Sequence, residues 1–187
     1  MATPIKLLNL KDSVTPSTSV DNYFVYMKII PSKKVLATPQ EIRNAIASAR
    51  GLGKTLVTTN GCFDIIHAGH VAYLAEAAGL GDILVVGVNC DTVVRDLKGV
   101  GRPLQNERDR VAIVASLAMV DYAFIFPEKD PRAFLEILRP DIHVKGGDYS
   151  NDIIETPVVE QHGGCVKFVS YLKDHSTTSL VEKIRKR

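Results

Sequence analysis

The chain has 187 residues with 23 Lys and Arg against 21 Asp and Glu, and a net charge of +2 excludes the basic field of a nucleic-acid or membrane-surface binder. Hydrophobic residues at 45% and charged residues at 24% are the balance of a globular chain with a single core. No apolar run approaches the roughly 18–20 residues that span a bilayer, residues 1–14 carry no signal-peptide core, and three widely spaced Cys speak for a reducing, cytoplasmic setting.

Residues 1–34 read as an N-terminal arm or linker, and residues 35–187 as the folded domain. The stretch 12–22 is rich in Ser, Thr, Val and Pro without a helical or strand period, whereas 23–30 has the pattern of one strand, suited to a partner subunit. Thr38-Pro39-Gln40-Glu41 supplies an N-cap, a first-turn Pro and a Glu at the third helical position, which is a capping box. Ile42, Ala45, Ile46 and Ala49 then share a helical face, and Gly51 ends the helix. A buried strand is expected over 54–59. A helix over 69–78 follows, with Val71, Leu74, Ala75 and Ala78 on one side.

Residues 83–88 read as the next strand, followed by helical segments across 91–118. Residues 122–126 form a third strand; Asp130-Pro131 then starts a helix that Arg139-Pro140 stops. A strand at 142–144, a helix over 151–161, a strand at 166–169 and a helix from about Thr178 complete the pattern. Five short apolar strands separated by helices imply an α/β fold: a Rossmann-like, doubly wound five-stranded parallel sheet with helices on both faces. In such sheets ligands bind at the carboxyl ends of strands, so the chemistry is expected just after Thr59, Val88 and Val144.

Residues 58–70, Thr-Thr-Asn-Gly-Cys-Phe-Asp-Ile-Ile-His-Ala-Gly-His, join the first core strand to a helix. Gly61 and Gly69 permit close backbone approach, and the new helix offers free N–H groups and a positive dipole end. That is an anion site before any side chain is counted. His67 and His70, three apart at the helix start, add two donors. Two ordinary turn histidines, or a metal pair, are the competing readings. The strand-end position and the glycines weigh against the first, and the lack of neighbouring Cys/His/Asp ligands against zinc. No resident metal is expected.

The segment resembles the signature of the H-x-G-H nucleotidyltransferase superfamily, in its cytidylyltransferase-like branch, over residues 35–184. The resemblance is carried also by Gly87-Val88-Asn89-Cys90-Asp91, Arg95-Asp96-Leu97-Lys98-Gly99, Arg102-Pro103, Val144-Lys145-Gly146-Gly147-Asp148-Tyr149 and Ser176-Thr177-Thr178. Within that branch the chain is most similar to the D-glycero-β-D-manno-heptose 1-phosphate adenylyltransferases, often one half of a bifunctional kinase–adenylyltransferase. The resemblance implies transfer of AMP from ATP, with Mg²⁺, to a heptose 1-phosphate, giving ADP-heptose and pyrophosphate for lipopolysaccharide or surface-glycan synthesis. A separate heptose kinase is then expected upstream, and the enzyme is expected to be a homo-oligomer acting on small molecules, without nucleic acid or membrane.

The acceptor in that reaction is already an anion, so catalysis needs in-line positioning and positive charge, not a nucleophilic side chain. The resemblance implies that His67 and His70 contact the triphosphate, with Lys98 and Arg110 as further catalytic cations. Asn60, Gly61, Cys62, Phe63 and Gly69 would meet the nucleotide, as would Lys145, Gly146, Asp148, Ser176, Thr177 and Thr178. Asp64, Asn89, Asp91 and Arg102 would hold the acceptor. Read without the resemblance, Lys98 is a solvated lysine, Arg110 an exposed helix start, Asp91 a helix cap, Gly146-Gly147 a turn, and Ser179 with Glu182 a capping box.

One departure stands out: glycerol-3-phosphate cytidylyltransferases place Arg-Thr-Glu-Gly before the last motif, whereas this chain has Tyr171-Leu172-Lys173-Asp174-His175. That weakens a cytidylyltransferase acting on glycerol 3-phosphate, which is the first alternative. A non-catalytic metal- or nucleotide-binding regulator is the second. Gly51-Leu52-Gly53-Lys54-Thr55 is not a P-loop, because position 48 is Ser and the segment precedes a strand. Gly99-Val100-Gly101 lacks the third glycine of a dinucleotide fingerprint.

Overall fold

The computed structural model describes residues 33–147, 153–169 and 177–186. The strand expected at 23–30 lies outside them, as do Asp148, Ser176, Lys173 and His175. Helix α1 (Pro39–Gly51) opens at Thr38, whose Oγ1 accepts from the Glu41 N–H at 3.2 Å. The Glu41 carboxylate reaches back to the Ala37 N–H at 3.0 Å, one residue earlier than a standard capping box. Its buried stripe is narrower than the pattern predicts: Ile42 and Ile46 are buried, while Ala45 is exposed.

The chain then alternates: β1 (Leu56–Gly61), α2 (Ala68–Ala78), β2 (Ile83–Asn89), α3 (Asp91–Lys98), α4 (Glu107–Ala115), β3 (Tyr122–Phe126), α5 (Arg132–Leu138), β4 (Ile142–Gly146), α6 (Thr156–Gln161), β5 (Cys165–Val169) and α7 (Thr177–Arg185). The expected helical run over 91–118 is divided by the loop 99–106, where Gly99 and Gly101 adopt positive φ and Arg102–Pro103 is cis. Because α7 already begins at Thr177, Ser179 sits inside its first turn and is not its N-cap.

The strands order as β3-β2-β1-β4-β5, all parallel. Alternation along each strand divides the core in two. Val57, Leu84, Val86, Val88 and Val144 pack on α2 and α4 through Tyr73, Leu74, Val111 and Val114. Leu56, Val85, Phe124 and Phe126 pack on the other side against Ile42 and Ile46 of α1, Phe134 and Leu135 of α5, and Val159 of α6. Helices thus cover both faces of the sheet. Helix α2 turns Tyr73, Leu74 and Ala77 inward, while Val71 and Ala75 are exposed, which corrects the expected face. The helix is apolar nearly all round, so periodicity does not select a stripe. No described helix is long and apolar enough to cross a membrane.

Two features aim the site. After β3 the winding returns to the far side of β1, so β1 and β4 are neighbours, and the crevice that parallel sheets form at such a reversal belongs at their carboxyl ends. At the opposite end Asp141 clips three elements together, accepting from Arg50 of α1 and from the Leu56 N–H at 2.6 Å. Burial opposes its charge, but these donors hold its carboxyl below the usual range.

Candidate active site

The turn after β1 is built around Phe63. Its backbone has a φ of 47°, in the left-handed region that few large residues adopt. Its buried ring folds back over Gly61, where an added Cβ would lie only 3.1 Å from it. That ring also lies 5.3 Å from the ring of His70, centroid to centroid. A side chain at position 61 would therefore press on the Phe63 ring.

His67 is the N-cap of α2. Its backbone is extended, and its Nδ1 accepts from the His70 N–H at 3.3 Å. The two imidazoles stack at 3.9 Å with an interplanar angle of 23°. Burial and the adjacent His67 push the pKa of His70 down to about 4, with the Ile65 backbone pulling weakly the other way. His70 is neutral at pH 7 and can offer one ring N–H. The pair stands at the N-terminus of an eleven-residue helix, where the dipole favours an anion.

Beneath this turn the polar groups are closely paired. Thr59 Oγ1, Tyr73 Oη and the Val144 carbonyl oxygen form a hydrogen-bonded triangle, 2.5 Å between the hydroxyls and 2.9 and 3.0 Å to the carbonyl, in which two hydroxyl protons serve three contacts and tie α2 to β1 and β4. Asp64, nearly buried, accepts from the N–H groups of Leu104 and Gln105 at 2.7 and 3.1 Å and from Arg102 at 2.6 Å. Asp64 and Arg102, both expected to face the acceptor, thus engage each other and hold the loop 102–105 against the turn.

Arg110 differs most from its expected place. Its exposure is 0%, so it lies behind the site's surface instead of on it. Its guanidinium donates to the carbonyls of Gln105 (3.0 Å), Cys62 and Asn89 (2.7 Å) and to the Asp91 carboxylate (2.8 Å). One side chain therefore joins the ends of β1 and β2, the start of α3 and the loop before α4. Asp91 takes this arginine and does not cap α3, whose N-cap is Cys90. Asn89 is buried with its amide oxygen 4.0 Å from the Cys62 thiol. Burial raises that thiol's pKa, against the charges of Lys98 and Arg110. Lys98 is exposed at the end of α3, near enough for its charge to act on Cys62.

The other wall of the crevice comes from β4. Lys145 Nζ donates to Glu155 Oε1 at 2.6 Å and lies 3.5 Å from Asn60 Oδ1. Asn60 and Lys145 each follow, by two residues, the buried pair Thr58 and His143, whose side chains meet at 2.9 Å. By strand alternation they belong to the face covered by α1, α5 and α6, opposite the face carrying α2. Histidines and lysine thus flank the crevice from its two sides. Thr177 opens α7; the Thr178 side chain lies outside what is described. Sequence reasoning missed Glu155, Tyr73 and Gln105. Glu155 follows Lys145 by ten residues with no periodic link, and Gln105 takes part through its backbone, which has no residue signature.

Residues 58–182 match the cytidylyltransferase-like family. Curated relatives include proteins named bifunctional protein HldE. The chain is 44% identical to the one from Syntrophotalea carbinolica, over 79% of this chain and 30% of that protein. It is 47% identical to the one from Pseudomonas aeruginosa LESB58 over 79% and 32%, and 48% identical to that from Hahella chejuensis over 80% and 31%. The chain thus spans about a third of the length of these relatives. Among solved structures, that of the lipopolysaccharide core biosynthesis protein from Thermoplasma volcanium GSS1 is 33% identical, with a TM-score of 0.55 over 66% of this chain and all of that one. With the H-x-G-H histidines stacked at the crevice of a 3-2-1-4-5 parallel sheet, the chain belongs to the cytidylyltransferase-like family.

Proposed function

We propose that residues 35–187 form an adenylyltransferase that joins MgATP and a heptose 1-phosphate to give ADP-heptose and pyrophosphate, with residues 1–34 as an accessory arm. The observation that carries this reading is the stacked pair His67 and His70 at the N-terminus of α2, facing Lys145 and Asn60 across the crevice. The similarity to bifunctional HldE proteins and to a lipopolysaccharide core biosynthesis protein supports the acceptor class.

An oxygen of the sugar phosphate attacks the α-phosphorus of ATP. The bond from that phosphorus to the bridging oxygen breaks, and pyrophosphate leaves with the electron pair. His67, His70, the helix N-terminus and Lys98 meet the charge that builds up on the phosphoryl oxygens. Lys145 and Asn60 hold the nucleotide from the other wall, with Thr177 and Thr178 closing on the triphosphate. Arg110 and Asp64 keep the turn 62–64 and the acceptor loop in register. In this reading a heptose kinase acts upstream, and the enzyme works as a homo-oligomer.

A pyrophosphate-release screen tests it, pairing ATP and CTP with heptose 1-phosphate, glycerol 3-phosphate and ethanolamine phosphate. Turnover is expected with ATP and heptose 1-phosphate. His67→Ala or His70→Ala is expected to lower kcat/KM by roughly 10²–10³, with His67→Ala also costing about 1 kcal/mol of stability through the lost cap of α2. Turnover with CTP alone, or with a different acceptor alone, sinks the assignment.

A further inference from the structure

We infer that Glu155 is a positioning residue that holds Lys145 at the nucleotide, an inference that rests on reading the crevice between β1 and β4 as the nucleotide site. Glu155 is only 3% exposed. A carboxylate so placed is costly to bury unless a cation and hydrogen bonds satisfy it, and such pairs are weak devices for stability. Its position makes the choice of partner informative. Glu155 occupies the N-cap of α6 with its backbone already helical, and its side chain makes no capping bond to that helix; it accepts from Lys145 Nζ at 2.6 Å instead.

The other end of that contact lies at the reversal of the sheet. Lys145 is one residue beyond Val144, which pairs with Thr59, so Lys145 stands level with Asn60. Its ammonium reaches Asn60 Oδ1 at 3.5 Å while still about a quarter exposed, with a side-chain exposure of 23%. The line Glu155–Lys145–Asn60 therefore runs along one wall of the crevice, over the adjoining ends of β4 and β1. A lysine is a flexible point charge, and freezing its four-carbon stem is entropically unfavourable. A buried carboxylate beneath it fixes the ammonium beforehand, so that an arriving phosphate does not have to order it.

The test is a double-mutant cycle on the full chain, read by calorimetric titration of MgATP and of MgCTP with no acceptor present. Glu155→Gln, which keeps the shape, is expected to weaken nucleotide binding roughly tenfold, the effect of losing one charge-assisted bond. Lys145→Met is expected to weaken it at least as much, and the double variant no further than Lys145→Met alone. Under turnover the loss should fall on KM for the nucleotide, with KM for the acceptor unmoved. Glu155→Met, apolar and of similar volume, is read the same way should the Gln variant fold poorly. Unchanged nucleotide affinity in a folded Glu155 variant, or losses that multiply in the double variant, overturns the inference and leaves the proposed activity standing. Binding of CTP in place of ATP overturns the adenylyl assignment while the cycle still decides on Glu155. Binding of neither nucleotide by the unmutated chain removes both.

Discussion

At the residue scale the site depends on a side chain that has no exposed surface. Arg110 binds the carbonyls of Cys62, Asn89 and Gln105 and the carboxylate of Asp91. No lysine can imitate that planar fork of donors. Removing the guanidinium deprives three carbonyls, that of Asn89 buried, and one carboxylate of their donor. Arg110→Met is therefore expected to lower unfolding stability by about 3 kcal/mol, the low end for a broken buried ion pair because the Asp91 carboxylate keeps partial exposure, measured by urea denaturation. A shift within 0.5 kcal/mol, roughly the size of a surface substitution, would refute the placement. The sequence makes Arg110 look like an exposed helix start, because the charged run Glu107-Arg108-Asp109-Arg110 carries no mark of burial. The His67–His70 pair is legible because its spacing at a helix N-terminus is local; Glu155 is not, because its partner comes from β4.

At the element scale, connections decide more than helix or strand preference. Thr38 and Glu41 announce the start of α1, and Arg139 before Pro140 ends α5 in a left-handed C-cap. These signals lie within a few residues of each other and are readable from the chain. The approach to β5 is not. Gly164 passes so close to β4 that an added Cβ would lie 2.3 Å from the Pro140 carbonyl oxygen and 3.0 Å from Val159. Backbone cannot yield as a side-chain tip does. Gly164→Ala is thus expected to cost more than 2 kcal/mol, beyond the range of ordinary surface changes, while leaving the His67–His70 stack in place. Melting curves with and without nucleotide check both parts. A melting temperature equal to the parent's would show that the strand can shift.

At the scale of the whole molecule, acid should act through buried neutral histidines. His143 is fully buried against Thr58, and burial, reinforced by the charge of Lys145, pushes its pKa down to about 3. Above pH 6.5 neither folded nor unfolded chains carry a proton there, so stability is unaffected. Below it the unfolded chain takes up a proton that the folded one refuses, and stability falls by about 1.4 kcal/mol per pH unit until pH approaches 3. His70, with its pKa near 4, adds a loss in the same direction over a narrower window. Denaturant midpoints measured at pH 7, 6 and 5 should fall in that order, and His143→Gln should flatten the slope. A parent profile flat over that range would contradict the burial.

The sequence by itself determined the alternation of strands and helices, the parallel sheet and the place of the histidine turn at a helix N-terminus, because each rests on periodicity, capping or spacing within about a dozen residues. It could not choose the buried face of α2, since an almost wholly apolar helix offers no stripe to read. The tertiary structure alone decided that Arg110 and Asp64 brace the turn from behind and that Glu155 meets Lys145. Those contacts join residues from separate elements, and burial, which decides whether a charge faces solvent or a neighbour, exists only once the elements have packed.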